Sequence, residues 1–133
     1  MAIKAPQTED FSRFNILTVD DVQLNRLLVQ KMLSRFNFRI REAANGLEAV
    51  REVLNERPDL ILLDMMMPQM DGFEFLEWLK SSPQNASIPV IVLSALNSNE
   101  DIVRAYNLGA KDFITKPIPM DKLFSSVSTQ LGI

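Results

Sequence analysis

The sequence predicts an α/β domain in which a parallel β-sheet carries helices on both faces. Three observations lead there. Short apolar runs alternate five times with segments of helical period, and each parallel crossover needs a covering helix of fixed hand. The strongest runs are apolar throughout, which suits strands buried on both faces. Those runs stop abruptly at polar or ionisable residues, which places chemistry at the carboxyl edge of the sheet, where open parallel sheets bind ligands.

Residues 1–13 are mixed in composition and lack a sustained period. They are expected to form an N-terminal extension, either poorly ordered or packed as a short arm, with one domain over residues 14–133. Phe14-Asn-Ile-Leu-Thr-Val19 reads as a first buried strand that halts at Asp20-Asp21. Leu24, Leu27, Leu28, Leu33 and Phe36 then recur at helical spacing. Arg39 to Glu42 is a short second strand. Asn45-Gly46 turns into a second helix, carrying Leu47, Val50, Val53 and Leu54, which ends before Pro58.

The third strand, Leu60-Ile-Leu-Leu63, ends at Asp64, and Pro68, Asp71 and Gly72 then mark a turn opening into a helix. Phe75, Leu76 and Leu79 line one face of that helix, with Trp78 on its flank. Pro83 to Ser87 reads as a polar loop. Ile88 to Leu93 is a fourth apolar run, halting at Ser94. Asn97 or Ser98 can cap a fourth helix through Ile102, Ala105 and Leu108, closed by Gly109. Asp112 to Thr115 is a fifth strand ending at Lys116-Pro117. Met120 or Asp121 opens a last helix with Leu123, Val127 and Leu131 one turn apart.

Composition narrows the chemistry. A chain of 133 residues, 47% hydrophobic, is one domain able to bury a core without staples. It has neither cysteine nor histidine, so thiolate and imidazole are absent from any metal site or catalytic role, and a cytoplasmic setting is the default expectation. A net charge of −3 and scattered Lys and Arg argue against a nucleic-acid footprint. No run reaches the length of a membrane span.

If the strands are parallel, Asp20, Asp21, Asp64, Ser94 and Lys116 meet at one edge. A lone aspartate at a strand end most often caps the next turn, but here polar residues end several strands together. Clustered carboxylates repel and recruit a cation. Oxygen ligands alone favour Mg2+ over zinc or copper. Lys116 would be superfluous for a metal by itself, yet suits a bound phosphoryl group, and the Ser94 hydroxyl suits a phosphoryl oxygen.

These residues carry a resemblance. The pair Asp20-Asp21, the segment Leu62-Leu-Asp64-Met-Met-Met-Pro68-Gln-Met-Asp71-Gly72, Ser94-Ala95 and Lys116-Pro117 occur in the order found in response-regulator receiver domains of two-component signalling. The similarity runs from about Phe14 onward. It implies a flavodoxin-like doubly wound (βα)5 sheet of strand order 2-1-3-4-5, an order taken from the resemblance and not from periodicity. A complete single-domain regulator of chemotaxis-regulator type and a receiver belonging to a hybrid kinase or longer regulator share this pattern.

The resemblance implies a role for each residue. Asp64 would be the phosphoacceptor, taking a phosphoryl group from a phosphohistidine on a sensor histidine kinase or histidine phosphotransfer protein. Asp21, Asp64 and the backbone carbonyl of Met66 would hold Mg2+, with Mn2+ as an alternative, and Asp20 would act directly or through water. No organic cofactor is implied. Lys116 would pair with the phosphoryl group before a cis bond to Pro117. Ser94 and Phe113 would be the switch pair, changing a surface on the fourth helix, fifth strand and fifth helix that meets a downstream target protein or output domain.

Phe113 stands where the family most often has tyrosine, so an inward ring is expected even without phosphate. Met66 and Leu96, two residues past Asp64 and Ser94, are apolar and cannot orient water, which implies a long-lived phosphoryl group. The domain is thus expected to be a switch that promotes its own phosphorylation and dephosphorylation, with no enzymatic turnover of another substrate, and to contact neither nucleic acid nor membrane directly.

Two rivals fit less well. A haloacid-dehalogenase-type phosphatase would carry a second aspartate where Met66 stands, and a flavin carrier would need a phosphate loop where Asp20-Asp21-Val22-Gln23 would repel phosphate. The methionines, Trp78, Phe73 and Tyr106 are expected to serve packing, with the last three partly exposed. Glu74, Glu77, Glu100 and Asp101 are expected on solvated helix faces.

Overall fold

A computed structural model describes residues 10–133. Five strands, β1 (Asn15–Val19), β2 (Arg39–Ala43), β3 (Leu60–Leu63), β4 (Val90–Ser94) and β5 (Asp112–Thr115), form one parallel sheet of order β2-β1-β3-β4-β5. Five helices of at least nine residues connect or follow them, α1 (Gln23–Leu33), α2 (Gly46–Asn55), α3 (Gly72–Lys80), α4 (Asn99–Asn107) and α5 (Met120–Leu131), with one further helical turn at Pro83–Ala86. The flavodoxin-like order that the resemblance implied is the observed one.

Side chains alternate across the sheet, and this splits the core in two. Leu17, Ile61, Leu63, Val90 and Val92 face α2, α3 and α4 through Val53, Phe75, Leu76 and Ala105. Ile16, Leu60, Leu62, Ile91 and Leu93 face α1 and α5 through Val29, Leu33, Leu123 and Val127. The three central strands are buried at every position, so burial of each large aliphatic side chain contributes about 1.5–3 kcal/mol before entropy is counted.

Local chemistry sets the helix starts. Asn45 accepts from the Glu48 amide at 2.8 Å, and Ser98 accepts from the Asp101 amide at 3.1 Å. Asp71 and Glu74 form a reciprocal capping box that starts α3 immediately behind the Asp64 loop. Gly72 must be glycine there: a Cβ would stand 2.5 Å from the Asp64 carbonyl oxygen and 2.5 Å from Met65 Cα. The close approach seats α3 directly against that loop.

Several expectations need correction. Pro83–Ala86 is a turn of helix, with Pro83 in the first turn where its missing N–H costs nothing. Phe73 is buried, not partly exposed, with the Arg104 guanidinium 4.1 Å from its ring centroid, whereas Trp78 is half-buried, as expected, and Tyr106 is 43% exposed. In α1 only Val29 and Leu33 are buried, while Leu24, Leu27 and Leu28 are exposed. Leu47 and Leu54 of α2 likewise face solvent, and Ala49 and Val53 face the core. Phe36 continues α1 only as a short 3-10 turn, Ser34–Phe36.

Of the extension, residues 1–9 lie outside the described residues. From Asp10 onward the chain is a packed arm: the Phe11 amide donates to Phe36 O at 3.0 Å, and its ring stacks on Phe38 at 5.4 Å. No helix among the described residues is long and apolar enough to cross a membrane.

Candidate functional site

Strand register builds the site. Val19 lies beside Ala43 on one side and Leu63 on the other, so the residues that follow, Asp20 and Asp64, emerge side by side. The Asp20 amide donates to Ala43 O at 3.1 Å and the Asp64 amide to Val19 O at 2.9 Å. The last sheet hydrogen bonds therefore fix the backbone of both aspartates. Across the sheet, Ser94 pairs with Thr115, and the Lys116 amide donates to Ser94 O at 2.9 Å. Lys116 is carried toward the acidic pair, and the bond to Pro117 is cis.

Asp20, Asp21 and Asp64 each place a carboxylate oxygen within 4.8 Å of the others. Asp20 and Asp64 are buried and Asp21 is exposed. Lys116 Nζ lies 2.9 Å from Asp20 Oδ2 and 3.5 Å from Asp64 Oδ2. Burial lifts the Asp64 carboxyl above its ordinary range. The Met66 amide and the Lys116 charge pull it down, while the Asp20 charge pushes it further up. A buried carboxylate already destabilised in its charged form gains from a bound cation.

The turn-capping and cluster readings of these aspartates both hold. Asp20 Oδ1 accepts from the Val22 amide at 2.9 Å, and Asp64 Oδ1 from the Met66 amide at 3.2 Å. Each uses one oxygen for its own turn and directs the other toward the shared space. The donor set of three carboxylates and no nitrogen or sulfur fits a hard divalent cation of Mg2+ or Mn2+ type.

Ser94 is fully buried at the end of β4, and its hydroxyl accepts from the Leu96 amide at 3.3 Å. It belongs to the same sheet edge but makes no hydrogen bond to the three aspartates among the described residues. Phe113 points inward, in the core cluster with Val92 and Ala105. Met65 and Met67 are buried, whereas Met66 is 54% exposed and, with Leu96 and Asp21, lines a groove at the mouth of the site. On the other side a cavity of about 290 Å3 opens beside Asp20, Asp64 and Lys116, with Leu28, Met32 and Ile118 in its wall.

Sequence reasoning missed a set of residues behind the acidic pair. Asn25 Nδ2 reaches Asp20 Oδ1 at 3.4 Å, and Arg26 bonds both the Asp20 carbonyl oxygen and Glu42. Their place in the first turn after the acidic pair was the available signal. The partner Glu42 lies on another strand and was not foreseeable from spacing.

Known proteins resemble this chain in sequence and fold. The "Response regulator PleD" of Caulobacter vibrioides is 39% identical over 112 residues, which cover 84% of this chain. The chain spans about a quarter of the length of that relative, 25%. The "Chemotaxis protein CheY" of Bacillus subtilis is 35% identical over 88% of this chain and 97% of its own length. Among solved structures, the signal receiver domain of a signal transduction histidine kinase from Syntrophus aciditrophicus superposes with a TM-score of 0.83 at 39% identity, covering 90% of each chain. Residues 16–128 match the response regulator receiver domain family. With the parallel sheet, its strand order and the acidic edge in place, the chain belongs to that family of signalling switches.

Proposed function

We propose that this domain accepts a phosphoryl group on Asp64 from a phosphohistidine donor and relays the change to a partner surface. The observation that carries the reading is the meeting of Asp20, Asp21 and Asp64 within 4.8 Å, with Lys116 against them. An Asp64 carboxylate oxygen attacks phosphorus as the P–N bond to the donor imidazole breaks, leaving an aspartyl phosphate. The chain has no histidine, so the donor belongs to another protein or another segment.

Asp21, Asp64 and the Met66 carbonyl would hold Mg2+, with Asp20 binding directly or through water. The bound ion supplies Lewis-acid stabilisation of charge on the phosphoryl oxygens. Lys116 turns from Asp20 toward the transferred group, and Ser94 donates its hydroxyl to a phosphoryl oxygen. Phe113 already lies inward. Movement of Ser94 and its loop therefore acts on α4 and on the α4-β5-α5 face, where Val103, Tyr106 and Met120 are exposed. That face is the proposed contact for a target protein or output domain. The donor's own route is the apolar face of α1, where Leu24, Leu27 and Leu28 are exposed and Leu28 lines the cavity beside Asp20, Asp64 and Lys116.

The test is intact mass after incubation with acetyl phosphate and Mg2+. One labile adduct of a single phosphoryl group, dependent on Mg2+ and absent from Asp64→Asn, is expected. No adduct under conditions that label a known receiver would overturn the reading and leave a constitutive interaction module. A second reading places the domain within a hybrid kinase or multidomain regulator in an intramolecular relay. The quarter-length match to PleD and the likeness to a histidine kinase's receiver domain favour it.

A further inference from the structure

Arg26 is a cation beside a proposed cation site, and nothing in the proposed chemistry uses it. It stands in the first turn of α1. Its Nη1 donates to the Asp20 carbonyl oxygen at 2.6 Å, and its Nε donates to Glu42 Oε1, near the end of β2, at 2.9 Å. The Arg26 side chain is only 13% exposed, so its charge-assisted bond to the Asp20 carbonyl is largely shielded from water, whereas the Glu42 side chain is 43% exposed and its bond meets solvent.

The carbonyl that Arg26 holds belongs to the peptide group joining Asp20 to Asp21. That group is planar, so fixing its oxygen fixes the direction in which the Asp21 Cα leaves it. The two aspartates differ in what else restrains them. Asp20 is held by the Val22 amide, Asn25 and Lys116. Asp21 is exposed, and its carboxylate has no hydrogen-bond donor among the described residues. The aim of the Asp21 side chain is therefore set by its backbone, whose N-terminal peptide Arg26 holds at the Asp20 carbonyl while the Val22 amide, bonded to the Asp20 carboxylate, holds the other side.

We infer that Arg26 is a positioning residue for the divalent-cation site, acting through the Asp20–Asp21 peptide, with Glu42 holding the guanidinium in place. This rests on the reading of the acidic cluster as a Mg2+ site. Charge alone gives the opposite sign: a guanidinium near the cluster repels an incoming cation, so its removal would tighten binding. Positioning predicts weaker binding. The fork of Arg26 spans two acceptors, which a lysine ammonium cannot reproduce.

Mg2+ dissociation constants measured calorimetrically on the native chain, Arg26→Gln, Arg26→Lys, Glu42→Gln and Asp21→Asn decide between them. Arg26→Gln should weaken binding about tenfold, the size expected when a residue orienting a metal ligand is lost. Arg26→Lys should fall between it and the native chain, and Glu42→Gln should weaken binding less than Arg26→Gln. In acetyl phosphate labelling, the Mg2+ concentration for half-maximal rate should rise for Arg26→Gln while the rate at saturating Mg2+ returns close to native. Tighter or unchanged Mg2+ binding in Arg26→Gln, with Asp21→Asn weakened, overturns the inference and leaves the metal site standing. If Arg26→Gln does not fold, unchanged binding in both Arg26→Lys and Glu42→Gln overturns it equally. A native chain that binds no Mg2+ overturns the metal-site reading itself, and the inference with it.

Discussion

Lys116 and Asp20, separated by 96 residues of sequence, form an ion pair at 2.9 Å. The ammonium is nearer to Asp20 than to Asp64, which lies at 3.5 Å. Lys116 thus partly neutralises the acidic cluster in the resting chain. On the proposed chemistry it would compete with a divalent cation for Asp20 and would have to turn toward a phosphoryl group on Asp64.

Replacing Lys116 by methionine should separate those two roles. Without the competing charge, Mg2+ binding should tighten severalfold. Labelling by acetyl phosphate should slow roughly a hundredfold, the scale of losing one charged donor to the transferred group. Calorimetry and the labelling rate check the two halves independently. Weaker Mg2+ binding in Lys116→Met would show that the lysine orders the cluster instead of competing for it.

Asp64→Asn should stabilise the metal-free chain at neutral pH. The Asp64 carboxyl is raised in the folded state by burial above all, so its contribution to stability is full below the unfolded value and is lost as pH rises through the folded value. The asparagine lacks this loss. A thermal midpoint about 3 °C higher than native is expected near neutral pH. The difference should shrink as pH falls through the raised Asp64 range. Addition of Mg2+ should raise the midpoint of the native chain and have much less effect on the variant.

How far the sequence revealed this site follows from which interactions are local. The ends of β1 and β3 were legible because a buried strand is apolar up to the residue where it leaves the sheet, so Asp20 and Asp64 stood out. Asp71 was legible as a helix start, and Ser98 as one of two candidates with Asn97, because a cap bonds an amide three residues on. The faces of α1 and α2 were not. Leu24, Leu27 and Leu28 together with Val29 and Leu33 cover too much of the helix for periodicity to say which side meets the sheet. Arg26 and Glu42 meet only because β2 lies beside β1, a placement that local pattern does not encode.

Gly72→Ala should cost stability and function together. The added methyl would meet the Asp64 carbonyl oxygen and Met65 Cα, both backbone, at 2.5 Å. Backbone cannot swing aside as a flexible side chain can, so a loss of about 1–3 kcal/mol is expected from urea unfolding. The Gly72 amide bond to Met65 O, 3.1 Å, lies at the same contact. Displacing it moves the loop that presents Asp64, so Mg2+ affinity should fall as well.

On the proposed chemistry, Met66 would govern how water reaches a phosphoryl group on Asp64. Its exposed side chain and Leu96 line the groove beside Asp21, and neither can hold a water molecule in place. The aspartyl phosphate should therefore be long-lived. Met66→Asn introduces an amide able to orient water and should shorten the lifetime about tenfold, less than a true general base would achieve. Loss of label with Mg2+ and no phosphatase measures both chains. A native chain that loses its label as fast as the variant would refute the role assigned to Met66.

The exposed face of α1 should distinguish a protein donor from a small one. Leu24 is 62% exposed, and Leu27 and Leu28 lie one turn further along the helix. The helix begins two residues after Asp21, so on the proposed chemistry a partner bringing its phosphohistidine to Asp64 would pass over this face. Leu24→Asp and Leu28→Asp remove apolar contact and add charge facing the acidic edge. Because neither leucine is buried in the core, unfolding free energies should change by no more than about 0.5 kcal/mol. Labelling by acetyl phosphate, which needs no docking, should stay near native. Transfer from a histidine kinase that phosphorylates the native chain should fall about tenfold or more, as for loss of a central apolar contact in an interface. Equal loss with both donors would place the defect in the chemistry of Asp64, and equal retention would move the donor's docking surface away from α1.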